Sequence, residues 1–118
     1  MSMGTLKQNL SMITADILAE RMLENREHEI EFYTDDCRHL SDWERPKEKY
    51  YAVITGKWDR YDNIMIYPDD DTNGNMVLRQ INDIRKNSGD CVDLGDVTAF
   101  IRGWLNTVLH VNQVFVTA

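Results

Sequence analysis

The sequence predicts an α+β fold, a three-stranded antiparallel meander packed against three helices in the order α-β-β-β-α-α. Three observations carry this expectation. Apolar residues recur at helical spacing near each end of the chain. Two runs rich in β-formers, 50–55 and 64–67, flank a segment of turn residues. A short alternating run lies at 29–33. The 118 residues show no repeat, low-complexity tract or Gly/Ser linker, so residues 1–118 read as one domain, and 42% hydrophobic content is enough for one core.

The first helix is expected from about Thr5, a plausible N-cap, to Asn25, with Leu6, Leu10, Ile13 and Ile17 at spacings of four, three and four. Glu29-Ile30-Glu31-Phe32-Tyr33 alternates polar and apolar as a half-buried strand does. The polar stretch Thr34–Lys49 is long for a loop, and a short helix is expected around Leu40 and Trp43, ending before Pro46. Tyr50–Thr55 and Ile64–Tyr67 then form a hairpin, closed by Pro68 and the run Asp69–Gly74. A second helix is expected from about Asn75 to Asn87, its inner face made by Met76, Val77, Ile81 and Ile84, with Gly89 as its C-terminal cap. The third is the most regular: Asp93 or Asp96 caps it, and Val97, Phe100, Ile101, Trp104, Leu105, Val108 and Leu109 repeat along one face. Gly103, costly inside a helix by ~1 kcal/mol, suggests a close backbone approach there. The tail Val111–Val116 reads as a last helical turn or an edge strand.

Charge excludes some functions. The net charge is −7, which disfavours nucleic acid as a direct partner, because phosphate binding rests on clustered Lys and Arg. No run of 18 apolar residues spans a membrane. The start, MSMGTLKQNL, lacks the basic and apolar stretches of a secretory signal, and two cysteines 54 positions apart, Cys37 and Cys91, are few for a secreted domain. A cytoplasmic protein with reduced thiols is expected. The charge is also uneven. Residues 23–49 and 68–96 each carry a net −4, and the aromatic segment 50–67 between them is neutral.

Three constellations are candidates for chemistry. Asp69-Asp70-Asp71-Thr72-Asn73-Gly74 matches the opening of an EF-hand calcium loop, with Asp69, Asp71 and Asn73 at its first three ligand positions. Gln80 stands where the bidentate Glu belongs, and a strand enters where a helix should, so a solvated turn is favoured over a weak calcium site. Cys37 and His39 can be drawn as nucleophile and base, but that spacing carries no known mechanics. Glu29 and Glu31 share a strand face about 7 Å apart, yet point to water. No phosphate loop, dinucleotide, metalloprotease or serine-hydrolase motif is present, and neither an enzyme nor a cofactor is expected.

The aromatic set is more informative. Trp43, Tyr50, Tyr51, Trp58, Tyr61 and Tyr67 fall within 25 residues, flanked by the acidic residues Glu29, Glu31, Asp35 and Asp36 on one side and Asp69, Asp70 and Asp71 on the other. Tyr and Trp give large contact area at low entropy cost. The expected function is a small acidic, non-enzymatic binding or inhibitor protein. It would dock on a basic protein such as a nuclease or another nucleic-acid-binding protein, as toxin-immunity or phage counter-defence proteins do. The alternative is a self-associating assembly module, with a homodimer seam at the C-terminal helix and tail.

Overall fold

The computed structural model describes residues 9–45, 49–56, 60–69, 80–86 and 92–117. In chain order the elements are β1 (Leu10–Thr14), α1 (Ala15–Glu24), β2 (Ile30–Tyr33), β3 (Tyr50–Gly56), β4 (Tyr61–Pro68), β5 (Gln80–Arg85), α2 (Leu94–Trp104) and β6 (Gln113–Thr117). A 3-10 turn covers Asp42–Glu44, and a π turn, Leu105–Leu109, extends α2. The class is α+β as expected, but the architecture is not. Six strands form one antiparallel sheet in the order β1-β6-β2-β3-β4-β5, with two helices rather than three strands with three helices.

Three corrections follow from that sheet. Leu10–Thr14 is a strand, not the middle of a helix. It pairs with β6 from Leu10↔Thr117 to Thr14↔Gln113, so Leu10 and Ile13 fall on opposite faces instead of sharing a stripe. The helix begins only at Ala15, with Thr14 as its extended N-cap, and buries Ala15, Leu18, Ala19 and Met22 at i, i+3, i+4 and i+7. The expected cap Thr5 lies outside the described residues.

Residues 80–85 of the expected second helix are also strand. Ile81 and Ile84, three apart, would share a helix face; in β5 they point to opposite sides, with Ile81 opposite Met65 and Ile84 opposite Asp62. Gln80–Arg85 pairs the free edge of β4, and this non-local pairing overrides the local pattern. The rest of that segment, 75–79 and 87–89, lies outside the described residues.

The tail is neither a helical turn nor an edge. As β6 it sits between β1 and β2, with Val114 and Val116 fully buried, so the valines expected at a dimer seam belong to the chain's own core. Nor does Gly103 mark a close approach, since a Cβ built there meets nothing within 4 Å.

The third helix is as expected at its start. Asp93 caps it through its carboxylate, which accepts from the Gly95 amide at 3.4 Å. Past Trp104 the π turn changes the helical phase, and Val108 emerges exposed. His110 ends it in the left-handed region, φ 57°.

Both helices lie on one face of the sheet. Leu18, Ala19 and Met22 from α1 and Val97, Ile101 and Trp104 from α2 pack on Ile13, Phe32, Ala52, Ile54, Ile64, Ile66, Val114 and Val116. In β2, β3, β4 and β6 the inner residues alternate with outer ones, as a period of two requires. The outer face divides into two halves. Across β1, β6 and β2 it is covered by the chain after β2, where Cys37 and Leu40 join Leu10, Tyr33 and Phe115 in a second small cluster. Across β3, β4 and β5 neither helix lies on it.

Candidate functional site

Among the described residues neither helix lies on the β3–β4–β5 half of the outer face, which gathers several of the predicted binding residues, with Val53 on it buried at 5% exposure. Alternation in β3 sends Tyr51, Val53 and Thr55 outward. The register places Tyr51 opposite Tyr67 and opposite Glu31, and Val53 opposite Met65. Ile81, Asp83 and Arg85 of β5 complete the row beside Met65, Asn63 and Tyr61. Tyr61 is 46% exposed and Ile81 51%, large apolar surfaces for a molecule of this size. The Tyr51 and Tyr67 rings lie 5.5 Å apart, tilted by 35°.

At the β2 side of this face a lysine ties the acids to the ring. The Lys49 Nζ is 3.4 Å from Glu31 Oε2 and 3.9 Å from Asp69 Oδ2, and it lies 6.0 Å from the centre of the Tyr51 ring. The Tyr51 hydroxyl donates to the same Asp69 oxygen at 3.5 Å. Burial pushes the Tyr51 hydroxyl up from its ordinary pKa, with Asp69 and Glu31 adding to the rise against the pull of Lys49. Burial acts to lower Lys49, but Glu31 and Tyr51 outweigh it and its pKa rises, so the ammonium stays charged.

The other predicted residues are placed differently. Tyr50 points inward, where its ring stacks on Phe32 at 5.6 Å and meets the edge of Trp104 at 6.2 Å; it belongs to the core and not to a docking face. Trp43, on the 3-10 turn of the covering segment, is 85% exposed. Glu29 is exposed just before β2, and with Glu31, His28 and Arg21 lines a shallow notch of about 370 Å³. Asp35 and Asp36 are exposed in the loop after β2. Both Asp36 oxygens accept from the Arg38 guanidinium, at 2.9 and 2.7 Å, and these bonds hold its carboxyl down at about 2. Trp58, Asp70, Asp71 and Asn73 lie outside the described residues.

Of the calcium constellation, only Asp69 is described, and its carboxylate is turned to Tyr51 and Lys49. Among the described residues no three His, Cys, Asp or Glu groups converge as a metal site would need. Cys37 is a free thiol with 1% exposure, and burial pushes its pKa up, whereas a nucleophile needs it lowered; His39 is exposed. Cys91 lies outside the described residues. Among the described residues no helix is long and apolar enough to cross a membrane.

Sequence reasoning missed the buried charge cluster at the other end of the hairpin. Asp62 has no exposed surface, yet its carboxylate is on the inner row with Ile64 and Ile66. Its Oδ1 is 2.9 Å from Arg26 Nη2 and 3.4 Å from Lys86 Nζ, and its Oδ2 accepts from the Val92 amide at 3.3 Å. Gly56, directly opposite, leaves the space this pair occupies, since a Cβ there would run into Arg26 Nη2 and Asp62 Oδ1. Glu27, held at φ 69°, secures the same corner: its amide donates to the Ile54 carbonyl, and its carboxylate accepts from the Gly56 amide. The alternation Asp-x-Ile-x-Ile was the available signal for burial, but nothing local names the two cations.

No protein-family model matches the chain, and neither a curated protein nor a solved structure is significantly similar to it. The class the fold defines is therefore an α+β protein with a six-stranded antiparallel sheet and, among the described residues, helices on one face only.

Proposed function

We propose that this chain is a non-enzymatic binding protein that docks on a basic protein through the β3–β4–β5 half of the outer sheet face. The observation that carries the reading is the joint placement of Tyr51, Tyr61, Tyr67 and Ile81 on that face with Glu31 and Asp69 at its rim. Paired strands hold these side chains in fixed rows, so little ordering entropy is lost when they are covered. The aromatic rings supply area, and carboxylates with a net charge of −7 behind them steer a cationic partner toward the face. Trp43, 85% exposed on the segment after β2, is a second candidate anchor.

Lys49 gives this reading a detail. It neutralises Glu31 and Asp69 within the chain, so a partner cation must compete with it or displace it. Removing its charge with Lys49→Met should therefore strengthen docking. The experiment is affinity capture from the native host, followed by mass spectrometry. Wild type, the double variant Glu31→Lys/Asp69→Lys and Lys49→Met serve as bait at low and high salt. A basic protein retained by wild type, enriched by Lys49→Met and lost from the double variant and at high salt is the expected result. Equal recovery on all three baits, or no basic protein at low salt, would refute the reading.

A further inference from the structure

The two edges of the sheet are protected differently. Edge strands expose a row of unpaired amides and carbonyls, and proteins blunt them with charges, proline or bulges. β5 has such protection: Asp83 and Arg85 lie within it, and Lys86 follows it directly. β1 has none. From Gln8 to Ala15 the sequence carries no charge and no proline. Among the described residues β1 pairs only with β6, in an unbroken five-residue register. Its central residue, Met12, is 46% exposed, and Ile17, three residues beyond the strand, is 39% exposed.

We propose that β1 pairs antiparallel with β1 of a second copy, about a two-fold axis at Met12, joining two sheets into one. The strand is complementary to itself in that arrangement. Leu10 faces Thr14 of the other copy, Ser11 faces Ile13, and Met12 faces Met12, with no like charges opposed. The occupant is a second copy and not the basic partner, because an uncharged edge offers nothing to a cation and a self-complementary strand matches its own reflection. Five paired residues cover little area, below the ~1,000 Å² of a stable specific interface, so the dimer is weak and concentration-dependent.

Salt separates this inference from the docking reading. Two chains of net charge −7 repel at long range, so added salt should promote self-pairing, whereas it should weaken the grip on a basic partner. The test is sedimentation velocity across a wide concentration range. Wild type should move from 13.8 kDa toward twice that mass as concentration rises, at lower concentration in high salt. Met12→Lys and Met12→Glu each place like charges opposite one another, and each should weaken the dimer by about tenfold or more. Mixing the two variants should restore it. Hydrogen exchange at the β1 amides should slow with concentration in wild type, a readout that stands even if a variant folds poorly. A wild type that stays at 13.8 kDa throughout, or variants that dimerise as wild type does, would overturn the inference.

Discussion

The two faces of the β3–β4 hairpin carry the same residue types to opposite ends. Tyr50 and Tyr51 are consecutive, yet one stacks on Phe32 inside and the other, half-buried, faces outward beside Tyr67. Asp62 and Asp69 are seven residues apart, an odd number, so they also fall on opposite sides. Asp62 is fully buried between Arg26 and Lys86, and Asp69 sits beside Lys49 with 18% exposure. Residue type alone thus decides little about role. The parity of its position on the strand, and what covers that face, decide whether a ring or carboxylate serves stability or remains available to a partner.

The largest expected contrast is between the two aspartates. Asp62→Asn removes the fully buried carboxylate that both Arg26 and Lys86 reach and puts a neutral amide opposite them. A loss of about 3–5 kcal/mol is expected in urea denaturation, as when one partner of a buried pair is deleted. Asp69→Asn should cost less, about 1–2 kcal/mol, because its carboxylate keeps 18% exposure and Lys49 still has Glu31. Equal losses would break the comparison. Gly56→Ala tests the same corner from the opposing strand. Its Cβ cannot enter without displacing the Arg26–Asp62 pair, and about 1–3 kcal/mol should be lost.

The tyrosines give the next contrast. Tyr50→Ala should cost about 3 kcal/mol by emptying a site between Phe32 and Trp104, while Tyr51→Ala should cost about 1 kcal/mol or less. Recovery of the captured partner should follow the opposite order, lost with Tyr51→Ala and kept with Tyr50→Ala wherever the variant is folded. A loss of both properties at one residue would mean that the faces are not separable in this way.

What was legible in the sequence was what is local. The hairpin of Tyr50–Thr55 and Ile64–Tyr67 pairs neighbours through a turn, and α2 declares itself by a long apolar repeat anchored at Asp93. The strands β1 and β5, and the central place of β6, were not legible, because their partners decide them. Leu10–Thr14 becomes a strand by pairing with residues from the opposite end of the chain, and Ile81 and Ile84 fit a helix as well as a strand until β4 is beside them. The candidate face divides in the same way. Alternation alone separates Tyr50 from Tyr51, but Lys49 joins Glu31, Tyr51 and Asp69 only once three segments meet. The pairing of Asp62 with Arg26 and Lys86 needs the same assembled fold.

A smaller effect concerns α2, whose outer side contrasts with its buried stripe. Nothing stands within 4 Å of a Cβ on Gly103, so Gly103→Ala should raise stability by about 0.5–1 kcal/mol through helix propensity and the reduced freedom of the unfolded chain. A loss instead would restore the close approach that the sequence suggested.

The smallest expected effect belongs to the loop carboxylate Asp36, fully solvated where Asp62 is fully enclosed. Its bonds from Arg38 lower its pKa from 3.8 to about 2 in the folded protein. A depressed carboxylate stabilises the folded state above its unfolded pKa, and that contribution is lost as pH falls from about 3.8 toward about 2. Because the pair is surrounded by water, the effect should be read at the residue itself and not in the global unfolding curve. Carboxyl NMR should find Asp36 titrating near 2 in wild type and close to 3.8 in Arg38→Ala, with Tm at neutral pH almost unchanged. A large fall in Tm would mean that this loop pair supports the Tyr33–Cys37–Phe115 cluster beneath it, where the Arg38 guanidinium carbon lies 5.2 Å from the centre of the Phe115 ring. The covered half of the outer face would then depend on an ion pair at its surface, and Asp36 would no longer stand as the solvated counterpart of enclosed Asp62.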